Sequence, residues 1–316
     1  MIDPMSIESM SPRKVMVFGV TGFIGRGLPR LLADQGCEVT GVSRGPGGGI
    51  HGVSAWQSAG SSDPCGHHAV VNLAGEPIDS RWTAARCHRF HESRVGMTRR
   101  LVATMAALPV ESRPAVLVNA SAVGIYGDRG DERLDEHSVP GSGYLADLCH
   151  EWEKAAMDAA ALGVRVVCLR IGIVLGRDGS AFRKLLTVFR CGIGGRLGSG
   201  RQWMPWIHVD DLRAAIMHAV MSPSLKGPVN GTAPSPVRNS EFTRSFARAV
   251  HRPALIPVPG FALKLTLGGF GGVLLAGQRA LPQALQADGF RFRFPTLDTA
   301  LADLLATPEM GSGCKS

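Results

Sequence analysis

The chain has 316 residues, 45% of them hydrophobic and 19% charged, with a formal net charge of +8. That composition belongs to a globular protein with a core and excludes a disordered or fibrous chain. The basic residues form no block and only two tyrosines and five tryptophans are present, so the charge is read as a solvated surface suited to an anionic small ligand, not to nucleic acid.

Residues 1–12, MIDPMSIESMSP, lack a basic start and an apolar core and are read as a disordered lead-in rather than a signal peptide. KVMVFG (14–19), a short apolar run ending in glycine, predicts a buried parallel strand. FIGRGLPRLLADQG (23–36) has helical spacing at Ile24, Leu28, Leu31 and Leu32 and stops at Gly36; Pro29 fits only in its first turns. Strands follow at CEVTGVSR (37–44), GVSAWQ (52–57) and HAVVNLAG (68–75), with a glycine-rich loop at 45–52. Residues 80–106 predict one long amphipathic helix, 115–122 a fifth strand, 144–162 a helix and 164–170 a sixth strand. This alternation implies parallel pairing in a doubly wound sheet.

Beyond 171 the pattern changes to helices at 181–190, 209–222 and 239–252, the last capped by Asn239 or Ser240 with Glu241 in its first turn. A short strand is predicted at 227–232, and residues 254–310 read as mostly helical. The expected architecture is an α/β Rossmann-type doubly wound parallel sheet with a smaller, mainly helical C-terminal lobe. Residues 13–170 form the sheet domain, 171–310 the substrate lobe, partly returning to the sheet, and 311–316 a tail. The longest apolar run, 261–277, contains Lys264 and several glycines, so a buried glycine-broken helix pair is expected and no membrane span. Seven cysteines, an odd number without CxxC, indicate a reduced, cytoplasmic chain with buried thiols.

VFGVTGFIGRG sets Gly19, Gly22 and Gly25 between a strand and a helix. The first glycine permits the tight turn, the second admits a pyrophosphate to the backbone, and the third lets helix pack on strand. Thr21, Phe23 and Ile24 share that loop, and phosphates would lie at the helix start. The second strand ends in Ser43 and Arg44, where an acid would hold the ribose hydroxyl of NAD. A guanidinium there grips a 2′-phosphate, so NADP(H) is the expected cofactor.

The stretches GVTGFIGRGL, VVNLAGEPI, SAVGIYGDRGDE, GSGYLADLCHEWE, LRIGIVLGRDG, LGSGRQWMPWIHVDDL and FRFRFPTLDTAL span roughly residues 14–306. Through them the chain resembles an extended-type short-chain dehydrogenase/reductase. More closely, it resembles the atypical NAD-dependent epimerase-like subgroup, sometimes called cell division inhibitors, with its own C-terminal domain of unassigned function. The resemblance implies cofactor contacts from Leu73, Ala74 and Gly75 after the fourth strand and from Ser121. It also implies a Ser–Tyr–Lys relay, and here the sequence departs. If Glu153 matches the glutamate following the lysine, Leu145 and Cys149 occupy the tyrosine and lysine positions, and Tyr144 stands one residue early, about 100° around the helix.

Three readings follow. The first is an NADP(H)-dependent reductase of a small carbonyl or unsaturated substrate, with Ser121, Tyr126 and Tyr144 as substitute catalytic groups. Glu76, Arg81, Trp203, Trp206 and His208 are candidates for its substrate pocket; core packing at the lobe interface is the alternative for the last three, and packing of an aromatic within a loop is the alternative for Tyr126. The second is a non-catalytic NADP(H)-binding sensor or partner protein, and the third a nucleotide-sugar epimerase or dehydratase, which the missing lysine disfavours. The helices 80–106 and 144–162 are a plausible homodimer interface by the same resemblance. Cys87, His88 and His91 lack a fourth ligand by spacing, so no metal site is expected. Asp210 and Asp211 read as a helix cap with a first-turn acid, and GDRGDE (127–132) as a mobile lid.

Overall fold

The computed structural model describes residues 12–306; the expected lead-in, Pro12 apart, and the tail lie outside them. In chain order the sheet domain runs β1 (Lys14–Phe18), α1 (Leu28–Ala33), β2 (Glu38–Ser43), β3 (Ala55–Ser58), β4 (Ala69–Asn72), α2 (Ala84–His91), α3 (Met97–Ala107), β5 (Val116–Ala122), β6 (Arg133–Leu134), α4 (Tyr144–Met157) and β7 (Arg165–Ile171). Then follow β8 (Ile173–Leu175), α5 (Ser180–Arg190), β9 (Trp203–Met204), β10 (Trp206–His208), α6 (Val209–Met221), β11 (Gly227–Gly231), β12 (Val237–Arg238) and α7 (Asn239–Ala249). The chain closes with α8 (Gly260–Leu267), α9 (Gly269–Leu275), β13 (Arg279–Ala280), α10 (Gln283–Ala287) and α11 (Leu297–Leu305).

Seven parallel strands make one sheet in the order β11-β7-β5-β4-β1-β2-β3. Chain order reverses between β1 and β4, the crevice where ligands of open α/β sheets lie. Strand residues alternate between two cores because the pleat has period two. Val15, Val17, Val118 and Val167 pack under α1 and α6 on one face. Met16, Phe18, Leu117 and Val166 pack under α3 and α4 on the other. The later chain does return to the sheet: α6 covers the first face and β11 pairs with the edge strand β7. A separate aromatic core of Phe182, Phe189, Trp206, Phe242 and Phe246 holds the lobe together.

Three expectations are corrected. The single helix over 80–106 is two helices joined by a five-residue π-turn, Glu92–Gly96. Its Ser93 hydroxyl accepts the Glu76 amide at 3.1 Å and its Arg94 donates to the Glu76 carbonyl at 2.8 Å, so the turn grips the loop after β4. The glycine-broken pair α8–α9 exists, broken at Gly268, but Phe261 and Leu265 are 76% and 72% exposed, so it is not buried. The cap of α7 is Arg238, whose amide donates to Glu241 at 3.0 Å, while buried Asn239 accepts the Leu197 amide instead. Pro29 does stand at the start of α1, where its missing N–H costs nothing. No helix among the described residues is long and apolar enough to cross a membrane.

Candidate functional site

The glycine loop sits at the β1/β4 crevice. Gly19 has φ +73°, and a Cβ there would fall 2.8 Å from the Leu73 carbonyl, so bare backbone is required where the two strand ends meet. Arg213, from α6, donates to the carbonyls of Ile24 (3.0 Å) and Phe23 (2.8 Å) and pairs with Asp210 at 3.2 Å, fastening the loop from beneath. Thr21 and Gly22 remain exposed. No acid occurs between Gly19 and Ala33, and the β2 end presents Ser43 and an exposed Arg44 that makes no ion pair among the described residues. A glycine cradle free of carboxylates, with a cation at its far edge, fits an anionic dinucleotide.

Beyond Leu73 the crevice opens into a cavity of about 180 Å³. Ser121 ends β5 on one wall; Leu145, Cys149 and Trp152 from α4 form another; Arg94 enters from the π-turn and lies over Gly75. Tyr144 is not on this wall. Its hydroxyl donates to the Cys87 carbonyl at 3.1 Å and its ring meets Trp82 edge-on at 5.1 Å. Burial and the Cys87 contact push its pKa up. Burial likewise pushes the Cys149 thiol up to about 12, so at neutral pH it is a neutral group and supplies neither thiolate nor positive charge. Leu145 and Cys149 therefore offer the cavity no proton relay.

Ser121 belongs to a buried polar chain. Its hydroxyl donates to Glu153 at 2.7 Å, and Glu153 receives both Nε (2.8 Å) and a second nitrogen (2.9 Å) of Arg170 from β7. Burial works against the Arg170 charge, but Glu153 outweighs it and holds the pKa above its ordinary value. Arg170 also donates to the Tyr126 hydroxyl at 2.9 Å, which in turn donates to Asn230 at 2.8 Å and lies 2.9 Å from the Asp135 carbonyl. Glu136 closes the chain by accepting the amides of Asn230 and Ala284. Tyr126 is 0% exposed, and burial pushes its pKa up to about 12. The expectation of Tyr126 as a cleft acid is corrected: its hydroxyl is sealed inside the lobe junction.

The substrate-lobe candidates separate. Trp206 is wholly buried with its indole N–H on the Ser235 carbonyl, and His208 is 1% exposed against Phe294. Both are core groups, which corrects their expectation as pocket lining; His208 caps α6 by accepting the Asp210 amide, a role expected of Asp210 and Asp211. Asp211 is buried and accepts the amides of Arg293 and Phe294. Trp203 donates to Asp131 at 2.8 Å and is flanked by Arg238 and Arg279. With Asp128 accepting the Gly277 amide, the GDRGDE loop is thereby fastened to the C-terminal segment. Glu76 pairs with Arg89 at 3.2 Å beside the cavity mouth, and Arg81 is exposed, its stem near Gly268. Sequence reasoning missed Arg94 and Arg213. An arginine on a helix that reads as amphipathic carries no mark of the turn that redirects it.

Residues 15–230 match the NAD dependent epimerase/dehydratase family, and residues 258–304 match a domain of unknown function, DUF1731. The chain is 40% identical over 313 residues to the chloroplastic epimerase family protein SDR39U1 homolog of Arabidopsis thaliana, covering 95% of this chain and 89% of that one. It is 37% identical to human epimerase family protein SDR39U1, with 93% and 100% covered. The crystal structure of the human protein (isoform 2) with NADPH superposes with a TM-score of 0.84 at 35% identity, covering 92% of this chain and 99% of that one. A nucleoside-diphosphate sugar epimerase of Corynebacterium glutamicum gives 0.74 at 32% identity, covering 93% of this chain and 58% of that one.

Proposed function

This chain belongs to the NAD dependent epimerase/dehydratase family, and we propose that it is an NADPH-dependent reductase of a small carbonyl or unsaturated substrate held in the cavity at Ser121. One observation carries the reading: Leu73, which Gly19 of the glycine cradle abuts, also lines the cavity together with Ala74, Gly75 and Ser121, so cradle and cavity adjoin. When bound, the cofactor supplies a hydride, which is two electrons and one of the two hydrogens a double bond needs. The second hydrogen arrives as a proton from water, with Ser121 positioning it through the hydroxyl it shares with Glu153. Thr21–Gly25 and the β2 end would hold the phosphates, with Arg44 on the 2′-phosphate. Ser121 and the leucines of the wall orient the reactive end and exclude bulk water. The human relative's structure with NADPH supports the choice of cofactor.

Neither tyrosine of the chain presents its hydroxyl to the cavity and no lysine lines it; this favours a second reading, a non-catalytic NADPH-binding protein, and weighs against an epimerase, which needs a strong proton relay. Calorimetric titration with NADPH and NADH is the test. Tight NADPH and weak NADH binding is expected, and Arg44→Ala should reduce that preference about tenfold or more, the worth of one charge-assisted phosphate contact. Equal binding of the two cofactors by wild type would sink the NADP(H) assignment. Binding without turnover across a carbonyl and enone panel would leave the non-catalytic reading.

A further inference from the structure

The cavity holds one cationic side chain, the Arg94 guanidinium. Arg94 is delivered by the π-turn, an irregularity that helices frequently reserve for functional positions. Its partners are neutral: the Glu76 carbonyl at 2.8 Å, the Ser93 hydroxyl at 3.4 Å, and the Trp152 ring with the guanidinium carbon 5.4 Å from its centroid. Glu76, the carboxylate whose charge acts on Arg94, pairs instead with Arg89 at 3.2 Å. Arg94 makes no ion pair among the described residues, and burial lowers its pKa. The lack of a side chain at Gly75 makes room for it, since a Cβ there would press within 3.2 Å of the guanidinium. A part-buried arginine is ordinarily balanced by a carboxylate. Here the balancing charge is missing, and Arg94 lines a cavity of about 180 Å³ whose other side chains are apolar apart from Ser121 and Cys149, a volume below the usual ~300–1,000 Å³ of ligand sites.

We propose that Arg94 is the anchoring cation of the cavity and that the substrate is a small carboxylic acid whose carboxylate docks on the guanidinium, with its reducible double bond directed at Ser121. The proposal rests on the reading of this cavity as the site of reduction. The planar fork matches a carboxylate bidentately, which a neutral amide or ketone does not exploit. Arg94 keeps its own protons at any working pH, so it anchors and stabilises negative charge without acting as the acid. It thus supplies the cavity with positive charge but takes no part in a proton relay. Leu73, Ile78, Leu145, Leu148 and Ile171 make most of the remaining lining apolar, which favours a short hydrocarbon acid over a polyhydroxylated one.

The test uses the full chain saturated with NADP⁺ and a charged/neutral pair of probes, propionate and propionamide. The Arg94 Nε–H resonance reports occupancy, and calorimetry gives the affinities. Propionate should bind saturably and shift that resonance, with propionamide at least about tenfold weaker. Arg94→Gln should weaken propionate by about tenfold or more while NADPH affinity stays within about twofold of wild type, and Arg94→Lys should recover part of the loss. Equal binding of the two probes, or unchanged propionate affinity in Arg94→Gln, overturns the proposal. So does a loss of NADPH affinity alone, which would make Arg94 a cofactor contact. Should wild type fail to bind NADPH yet bind propionate through Arg94, the anion site stands and the reductase reading falls.

Discussion

Tyr126 and Tyr144 are the two tyrosines of the chain, and neither presents its hydroxyl to the cavity. Tyr126→Phe removes a group that accepts from Arg170 and donates to Asn230, leaving both inside the junction with one partner fewer. A loss of about 1–3 kcal/mol in urea denaturation is expected, with NADPH affinity unchanged; weakened NADPH binding in a variant of normal stability would contradict the structural role. Glu153→Gln is the harsher change, because it strips Arg170, whose side chain is 6% exposed, of the one carboxylate it pairs with among the described residues. A loss of about 3–5 kcal/mol is expected. The sequence placed Ser121 correctly at the end of β5, since strand ends are legible from apolar runs. It gave no sign that Glu153 and Arg170, 17 residues apart, would meet there.

At the scale of elements, the strand–glycine–helix unit was the most legible part of the chain, because its chemistry is local. Gly19→Ala should lower stability by about 1–3 kcal/mol through left-handed strain and the collision with Leu73, and should abolish NADPH binding in the fraction that still folds. Native-like NADPH affinity in that variant would refute the account of the cradle. The junction of α6 and α11 should lose stability in acid. Burial holds the His208 pKa below its ordinary 6.5, and its Nδ1 must stay unprotonated to accept the Asp210 amide. Asp210 and Asp303, whose carboxylates lie 3.9 and 3.4 Å from the ring, favour the charged form, but burial outweighs them. A pKa lowered on folding means the unfolded chain binds the extra proton. The stabilisation is therefore complete above about 6.5 and is lost as pH falls below it. Denaturant midpoints of wild type should drop across that range, whereas His208→Asn, which keeps a cap acceptor, should flatten this component. An unchanged slope in the variant would assign the effect elsewhere.

At the scale of the whole molecule, pairing of two copies through α2–α3 and α4 stays a proposal. That face carries His91, Glu151, Arg99, Glu92 and Arg100, joined by ion pairs and contacts of 3.0–4.0 Å. An association built on such charges is screened by salt, so sedimentation should show a dimer at low ionic strength that weakens at high; a monomer at both would dismiss this interface. What the sequence determined by itself was whatever short-range periodicity and backbone geometry encode: the alternating strands and helices, the glycine cradle and the arginine after β2; the departure from a tyrosine–lysine pair at 145 and 149 was legible only through the family resemblance. What only the tertiary structure decided was the direction of side chains set by distant partners. Tyr126 was drawn inward by Arg170 and Asn230, His208 was buried against Phe294, and Arg94 was turned into the cavity by a π-turn. A side chain's type is written in the chain, but the surface it faces is fixed by packing between segments that the sequence keeps far apart.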